Sequence, residues 1–274
     1  MRFCAGGSWL VSWVVLVGTL WAGPEGMVWV PGGESDGLEV TGFWMDRSEV
    51  TNAEFAKFVE ATGYRTSAER SSIGLGVGGL SEFMAGGALV FDPVQGEGGE
   101  VRSLWKWRRG AEWRFPRGPG SGIERRQDHP VVQVSWEDAK AYARWRGRRL
   151  PEVREWALAW RWVRGVGGDA GANLWQGKFP GDNLLADGFR ETAPAGYFQR
   201  DASRLTDLDG NVAEWCVRVE GEGAKSVSCG TSYLSPEVLG EVSIVSVELE
   251  EGTARPDLGF RCVLDAPAPE VESE

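Results

Sequence analysis

The sequence predicts an α+β fold, with helices and strands mixed but without βαβ alternation. Three segments, 51–63, 135–147 and 152–163, place apolar residues at helical spacing. The strand-like runs around them are short, and Gly-rich stretches separate them. The chain has no internal repeat. These observations are typical of an α+β domain with little regular secondary structure.

The first elements follow from local signals in residues 27–63. The runs MVWVPGG and LEVTGFWMD predict short strands. Thr51 is a good N-cap for a helix through NAEFAKFVEATG, in which Phe55 and Phe58 share a face and Gly63 is the stop signal. Residues 71–100 are Gly-rich and weakly patterned, so we expect a long surface loop there.

The central region predicts a strand followed by two helices. The run VVQV at 131–134 is typical of a buried strand. Ser135, with Asp138 three residues later, forms a capping-box-like start for the second helix. Glu152 opens the third helix, EVREWALAWRWV. Beyond residue 165 we expect loops and short strands.

Composition excludes several classes of function. The 274 residues carry a net charge of -11, which argues against nucleic-acid binding, since that needs positive charge against phosphates. The single histidine, His129, excludes His-rich zinc sites and a two-histidine iron site within one chain. The 15 tryptophans are expected mainly in the core.

The N-terminal segment of the chain predicts export. Residues 1–23 combine Arg2, an apolar run and small residues, as in a cleaved signal peptide. One domain then spans 27–264, followed by a disordered acidic tail at 265–274. The mature protein is expected in the periplasm or outside the cell, without membrane contact.

Three cysteines remain after such cleavage: Cys216, Cys229 and Cys262. Export permits a disulfide. Cys216 and Cys229 end and begin two neighbouring predicted strands, so they are the first pair to expect. The alternative is three buried thiols.

The stretch DLDGNVAEW at 207–215 has two interpretations. Asp-Gly and Gly-Asn pairs are turn signals between strands. The same loop could hold calcium, because Asp207 and Glu214 offer carboxylates and the backbone offers carbonyls. The residues alone favour the turn.

Several ordered segments resemble the sulfatase-modifying-factor family, whose best-known member is formylglycine-generating enzyme. The resemblance covers about residues 27–264. It is carried by MVWVPGG, GFWMDRSEVTNAEFAKFVEATGY, WRFPRGPGSGIERRQDHPVVQVSWEDAKAYARWRGRRLPEVREW, ANLWQGKFP, DGFRETAPAGYF, DLDGNVAEW and LGFRC. It implies a calcium-stabilised α+β fold related to C-type lectins.

The resemblance also implies two calcium sites, and on this basis calcium becomes the favoured interpretation of 207–215. The first site corresponds to side chains of Asn173 and Asp187 with carbonyls of Leu174 and Phe189. The second corresponds to side chains of Asp207 and Glu214 with carbonyls of Gly210 and Val212.

The family's oxidase uses two cysteines that bind copper(I). Their positions hold Ser235 and Gly240 here, while Ser232 and Tyr233 keep the family pattern. A hydroxyl is a hard ligand and glycine has no side chain, whereas copper(I) selects thiolates. We therefore expect no copper, no catalytic residue of the known kind, and a cleft at Ser232, Tyr233 and Ser235 that binds a ligand.

Three functions remain open. The leading one is an exported family member that has lost formylglycine formation and binds a peptide, glycan or protein partner. The alternative is an enzyme of the same family with non-thiol chemistry, for which Glu237, Glu241 and Glu251 are the nearest carboxylates, or an oxidase with a rebuilt site. A third is a carbohydrate platform, for which three tryptophans would need to be exposed and coplanar: Trp105, Trp107 and Trp113.

Overall fold

Short strands and three helices build the α+β architecture that the sequence predicts. The structure is a computed structural model, and it describes residues 23–70, 86–95, 101–165, 171–198, 205–221, 223–236, 246–265 and residue 267. Residues 1–22 of the predicted signal peptide lie outside these residues, as do Glu237, Gly240, Glu241 and nearly all of the acidic tail. The helices are α1 (Asn52–Thr62), α2 (Trp136–Trp145) and α3 (Val153–Gly165).

Two sheets hold most of the regular strands. In the first, β4 (Phe43–Asp46) lies between β1 (Met27–Val30) and β11 (Val263–Leu264), antiparallel to both. In the second, the order is β10 (Leu258–Gly259), β7 (Ala213–Glu220), β8 (Gly223–Cys229) and β9 (Ser246–Glu248). Strands β2 (Gly33–Ser35) and β3 (Leu38–Val40) form a separate antiparallel pair.

The predicted helix caps are confirmed at both sites. The Thr51 hydroxyl accepts the Glu54 N–H, and the Glu54 carboxylate accepts the Thr51 N–H at 2.9 Å. Gly63 ends α1 in the left-handed conformation at φ 67°. Ser135 and Asp138 make the same reciprocal pair at the start of α2. Each box satisfies backbone donors that the first helical turn leaves unpaired.

The predicted loop at 71–100 is wrong in its C-terminal part. Residues Gly87–Gln95 form strand β5, which pairs with β6 (Val101–Arg109) as a hairpin. Cross-strand pairs such as Phe91 with Trp105 stabilise it. The apolar run GALVF at the start of β5 could have indicated a strand, and its pairing partner β6 follows directly in the sequence.

The predicted strand at 131–134 is buried but is not a strand. Gln133 has a left-handed φ of 59°, which breaks the extended conformation. The backbone of this run bonds to two different segments: the Val131 N–H donates to the Val50 carbonyl, and the Gln133 N–H donates to the Arg255 carbonyl. An apolar run therefore indicated burial correctly, but no single strand lies beside it.

The three cysteines are free and buried, so the expected Cys216–Cys229 disulfide is not formed. Strands β7 and β8 are neighbours as predicted, but Cys216 pairs in register with Val227, while Cys229 lies opposite Glu214. The alternative of three buried thiols is confirmed.

The core consists of two main clusters of side chains. One packs α1 and α2 against β7 and residues 258–262, with Phe55, Tyr142, Trp215 and Phe260 at its centre. The other packs α3 on the first sheet. Of the twelve tryptophans in the described residues six are buried, so the expected core position holds for half of them: Trp44, Trp113, Trp136, Trp156, Trp175 and Trp215. No helix in the described part of the chain has the length and apolar character needed to span a bilayer.

Candidate functional site

A cavity of about 610 Å³ opens on the face where the long loops meet. It is bounded by the hairpin residue Phe91, by the segment before α2, by the loop 175–192, and by the turn after β8. Its volume lies within the range of small-molecule and peptide sites. Of the predicted substrate residues, Tyr233 lines this cavity.

The turn that carries Ser232, Tyr233 and Ser235 is held from inside. Ser232 Oγ donates to Asp257 Oδ2 at 3.1 Å, and Ser232 is buried. Ser235 Oγ accepts the Ser232 N–H at 3.0 Å, and the Ser235 carbonyl accepts the Trp175 N–H. The two serines therefore shape the turn that presents Tyr233 to the cavity. Burial raises the pKa of Tyr233 well above its ordinary value, so its phenol is neutral at physiological pH.

The two loops predicted to bind calcium contact each other. Gly210 has φ 80°, and a Cβ on it would lie 2.4 Å from the Asn173 carbonyl oxygen. The Asn211 N–H donates to that same carbonyl at 2.9 Å. Only glycine allows this approach, so Gly210 fixes how the two loops dock.

Asn211 lies at the centre of this contact, and the sequence did not single it out. Its Oδ1 accepts from Asn173 Nδ2 and from the Ala193 N–H, and its Nδ2 donates to Glu49 Oε1 at 3.0 Å. Its carbonyl accepts the Tyr233 N–H. Asn211 therefore connects both predicted calcium loops to the cavity turn. The Asn of the Gly-Asn pair was the available signal.

The donor set of the first predicted calcium site fits a hard cation. Asn173 Oδ1 and Gln176 Oε1 are buried and have no hydrogen-bond partner. Asp187 supplies a carboxylate that accepts N–H groups of Leu174 and Phe189. Buried oxygens without partners are rare, and amide and carboxylate oxygens are calcium ligands. If calcium binds here, Asn173 and Asp187 would hold it, and the ion would tie loop 173–176 to loop 187–189.

The second predicted site has a competing occupant. Both oxygens of Glu214 are engaged by the Arg261 guanidinium, at 2.6 to 2.9 Å, and Trp156 Nε1 donates to Glu214 Oε2 at 2.9 Å. These bonds fill the lone pairs of the carboxylate. Asp207 Oδ2 accepts the Gly196 N–H. The geometry thus supports Glu214 as the partner of Arg261 and gives calcium less support here than at Asn173. Both calcium assignments remain predictions.

His129 lies next to two residues of the cavity wall, Pro130 and Thr192. Its Nδ1 is 3.0 Å from Thr192 Oγ1, and its carbonyl accepts the Asn52 N–H. Burial lowers the pKa of the imidazole from the ordinary 6.5, and the charge of Arg126 acts in the same direction. His129 is therefore expected to be neutral at pH 7.

We expect proton NMR of the untagged protein to give a His129 titration midpoint below 6.5. The folded-state pKa is lower than the unfolded one, so the unfolded chain binds more protons between the two values. The free energy of unfolding should therefore decrease as pH falls through that window, and His129→Gln should remove this contribution. Because the chain has one histidine, the signal needs no assignment. A midpoint above 6.5 in the folded protein would contradict the prediction.

Comparison with known proteins now identifies this framework. A protein-family model described as "Sulfatase-modifying factor enzyme 1-like domain" matches residues 18–266. The chain belongs to the sulfatase-modifying-factor family. Within this family it is 44% identical over 191 residues to the formylglycine-generating enzyme of Mycobacterium tuberculosis, covering 65% of this chain and 64% of that protein. The chain thus spans less than two thirds of the length of this relative.

Other members of the sulfatase-modifying-factor family align over more of the chain. The inactive C-alpha-formylglycine-generating enzyme 2 of Bos taurus is 36% identical over 266 residues, covering 88% of this chain and 83% of that protein. Among solved structures, CarF superimposes with a TM-score of 0.51 at 20% identity, covering 89% of this chain and 99% of CarF. The last comparison bears on the fold alone.

The described thiols lie in the core of the protein and not at the cavity. Cys216, Cys229 and Cys262 are fully buried in the two core clusters. Burial raises the pKa values of Cys216 and Cys262 well above the ordinary range, which disfavours the thiolate that copper(I) needs. Of the described residues that line the cavity, none is a cysteine.

The carbohydrate platform is not formed. Trp113 is buried at 2% exposure. Trp105 packs against Phe91, with the Arg255 guanidinium 4.3 Å from its ring centroid, and Trp107 is 42% exposed. The three rings therefore do not share an exposed plane.

Proposed function

We propose that this protein is an exported member of the sulfatase-modifying-factor family that does not convert cysteine to formylglycine, and that it uses its cavity to bind a peptide, glycan or protein partner. One observation carries the proposal. The positions that correspond to the family's copper-binding cysteines hold Ser235 and Gly240, and each cysteine in the described part of the chain is buried in the core. The alignment with inactive formylglycine-generating enzyme 2 supports it.

Ser235 gives little support to a new nucleophile. In the described residues its hydroxyl is bonded to the Ser232 N–H, and no histidine or carboxylate is bonded to it. A nucleophilic serine needs a base within hydrogen-bond reach. The alternative of an enzyme with carboxylate chemistry has one described candidate, Glu251, which is exposed and does not line the cavity. The binding function is therefore the better supported one.

The finer parts of the proposal remain predictions. These are the signal peptide with periplasmic or extracellular location, the relation to C-type lectins, and stabilisation by calcium. The contact of Gly210 with Asn173 and the unpartnered oxygen of Asn173 support the last of these, because an ion there would tie the two loops together in the folded protein.

The test is a mass-spectrometric assay of cysteine oxidation. The purified mature protein is incubated with copper(I), oxygen and a Cys-x-Pro-x-Arg peptide, beside an active formylglycine-generating enzyme as control. We expect no conversion of the peptide, because the cavity offers no thiolate. Formation of formylglycine would overturn the proposal and would direct attention to the buried Cys229.

A further inference from the structure

The cavity has an apolar floor and a charged edge. The aromatic rings of Phe91, Trp175 and Tyr233 line its floor, together with Leu234. Phe91 and Trp175 contact each other with ring centroids 6.0 Å apart. A floor of this kind can bury an apolar group of a ligand. That burial adds affinity but does not discriminate between ligands of different charge.

The edge of the cavity would select the charge of the ligand, because Arg117 and Arg126 both contact one carboxylate there. Glu191 accepts Arg117 Nη1 at 3.1 Å through one oxygen and Arg126 Nη1 at 2.5 Å through the other. The guanidiniums are 60% and 39% exposed, whereas Glu191 is 17% exposed. One carboxylate therefore holds two cations in place and neutralises one of them. Each guanidinium keeps further N–H donors for a second anion.

The described residues of the lining repeat this imbalance. Among them are three arginines, including the exposed Arg190, against two acids, Asp182 and Glu191. The protein itself carries a net charge of -11. A positive cavity on an acidic molecule attracts anions locally while the rest of the surface repels them.

Asn52 adds a second requirement on the ligand. It lines the cavity at 2% exposure, its Nδ2 donates to the Arg126 carbonyl at 2.8 Å, and its Oδ1 is buried without a partner. A buried acceptor without a partner is costly, and a ligand N–H or O–H would satisfy it.

We propose that the cavity binds a carboxylate that is carried beside an apolar group, with the carboxylate on Arg117 and Arg126 and the apolar group on Phe91, Trp175 and Leu234. This inference rests on the proposed binding function. The carboxylate belongs either to an acidic side chain in a peptide or to a free acid, and both share this chemistry. The proposed ligand is an anion, whereas the arginine-containing peptide of the oxidase assay carries a positive side chain.

The probe is the pentapeptide Ala-Leu-Glu-Phe-Ala, acetylated at its N-terminus and joined through its C-terminal amide to an uncharged fluorophore, compared with versions that carry Gln or Lys in place of Glu. Fluorescence polarisation should show about tenfold tighter binding of the Glu peptide than of the Gln peptide. Competition with N-acetylphenylalanine separates the sources: displacement at similar concentration indicates that a free acid suffices, and weak displacement indicates a peptide.

Arg117→Gln should abolish the preference for Glu, and Arg117→Lys should retain part of it, because lysine keeps the charge but loses the planar fork. Arg108→Gln is the matched control, since Arg108 is an exposed arginine outside the cavity, 3.5 Å from Asp92. Preference for the Lys peptide, an unchanged preference in Arg117→Gln, or no binding of the three peptides would each overturn the inference.

Failure of this inference differs from failure of the proposed function. Formylglycine in the oxidase assay would refute the proposed function whichever peptide binds. If no formylglycine forms and the peptides do not bind as expected, only the assignment of the ligand is refuted. Thermal unfolding of each Arg117 variant confirms that it is folded before its binding is compared.

Discussion

Arg261→Met is expected to lower the free energy of unfolding by about 3–5 kcal/mol, because it leaves Glu214 as a buried charge without a partner. Arg261 is 0% exposed and Glu214 is 1% exposed. The guanidinium also donates to the carbonyls of Asp46, Arg47 and Thr206. Its removal would therefore also take a hydrogen-bond donor from the segment 46–47 and from Thr206. Urea unfolding followed by tryptophan fluorescence measures the loss.

Lys225→Met is the control for a salt bridge at the surface. Lys225 lies 3.2 Å from Glu248 with both side chains about half exposed, so its loss should lower the free energy of unfolding far less than the loss of Arg261. If Arg261→Met does not fold, Arg261→Lys keeps the charge and should show an intermediate loss. Similar small losses for both positions would show that the buried pair does not stabilise the fold. Restoration of Arg261→Met by calcium would indicate that Glu214 also binds the ion.

Calcium at 100 times its dissociation constant is expected to raise the free energy of unfolding by about 2.7 kcal/mol. The reason is that calcium would bind these loops only where folding holds them together, and it would give the buried Asn173 Oδ1 a partner. Asn173→Ala should remove most of this gain. Differential scanning calorimetry of chelated and calcium-loaded protein measures the effect.

Asn183→Ala is the matched control for calcium. Asn183 lies on the same long loop, and its Oδ1 already accepts the Leu185 N–H at 3.0 Å. This variant should keep the calcium response. We further expect calorimetric titration to fill the Asn173 site first, because the carboxylate of Glu214 is occupied by Arg261. A melting temperature that does not change on chelation would refute both calcium sites.

Local signals predicted the helices well, because each cap is decided within four residues. Thr51 with Glu54 and Ser135 with Asp138 are complete devices in the sequence itself. The same reasoning failed at Gln133, whose left-handed backbone is fixed by distant partners: its side chain donates to the carbonyls of Leu89 and Pro116. Such contacts leave no pattern in the surrounding residues.

The candidate site was predictable only in its loops. The Gly-Asn pair and the Ser-Tyr turn pointed to Gly210 and Tyr233, and both lie where the loops converge. The sequence did not indicate Arg117, Arg126 and Glu191, because these residues form a site only when all three side chains are brought together. Glu191 is 65 residues from Arg126, and nothing in either neighbourhood indicates the other. Pairwise sequence spacing cannot reveal a partnership that the tertiary fold creates.

The position of β11 has a consequence for the order of assembly. Val263 and Leu264 pair with Met45 and Trp44 at the centre of the first sheet, opposite β1. A nascent chain therefore carries β4 with one open edge until Val263 and Leu264 have been made. Open edges invite pairing with other chains. The pairing that closes this edge of the first sheet can form only after more than two hundred further residues have been synthesised.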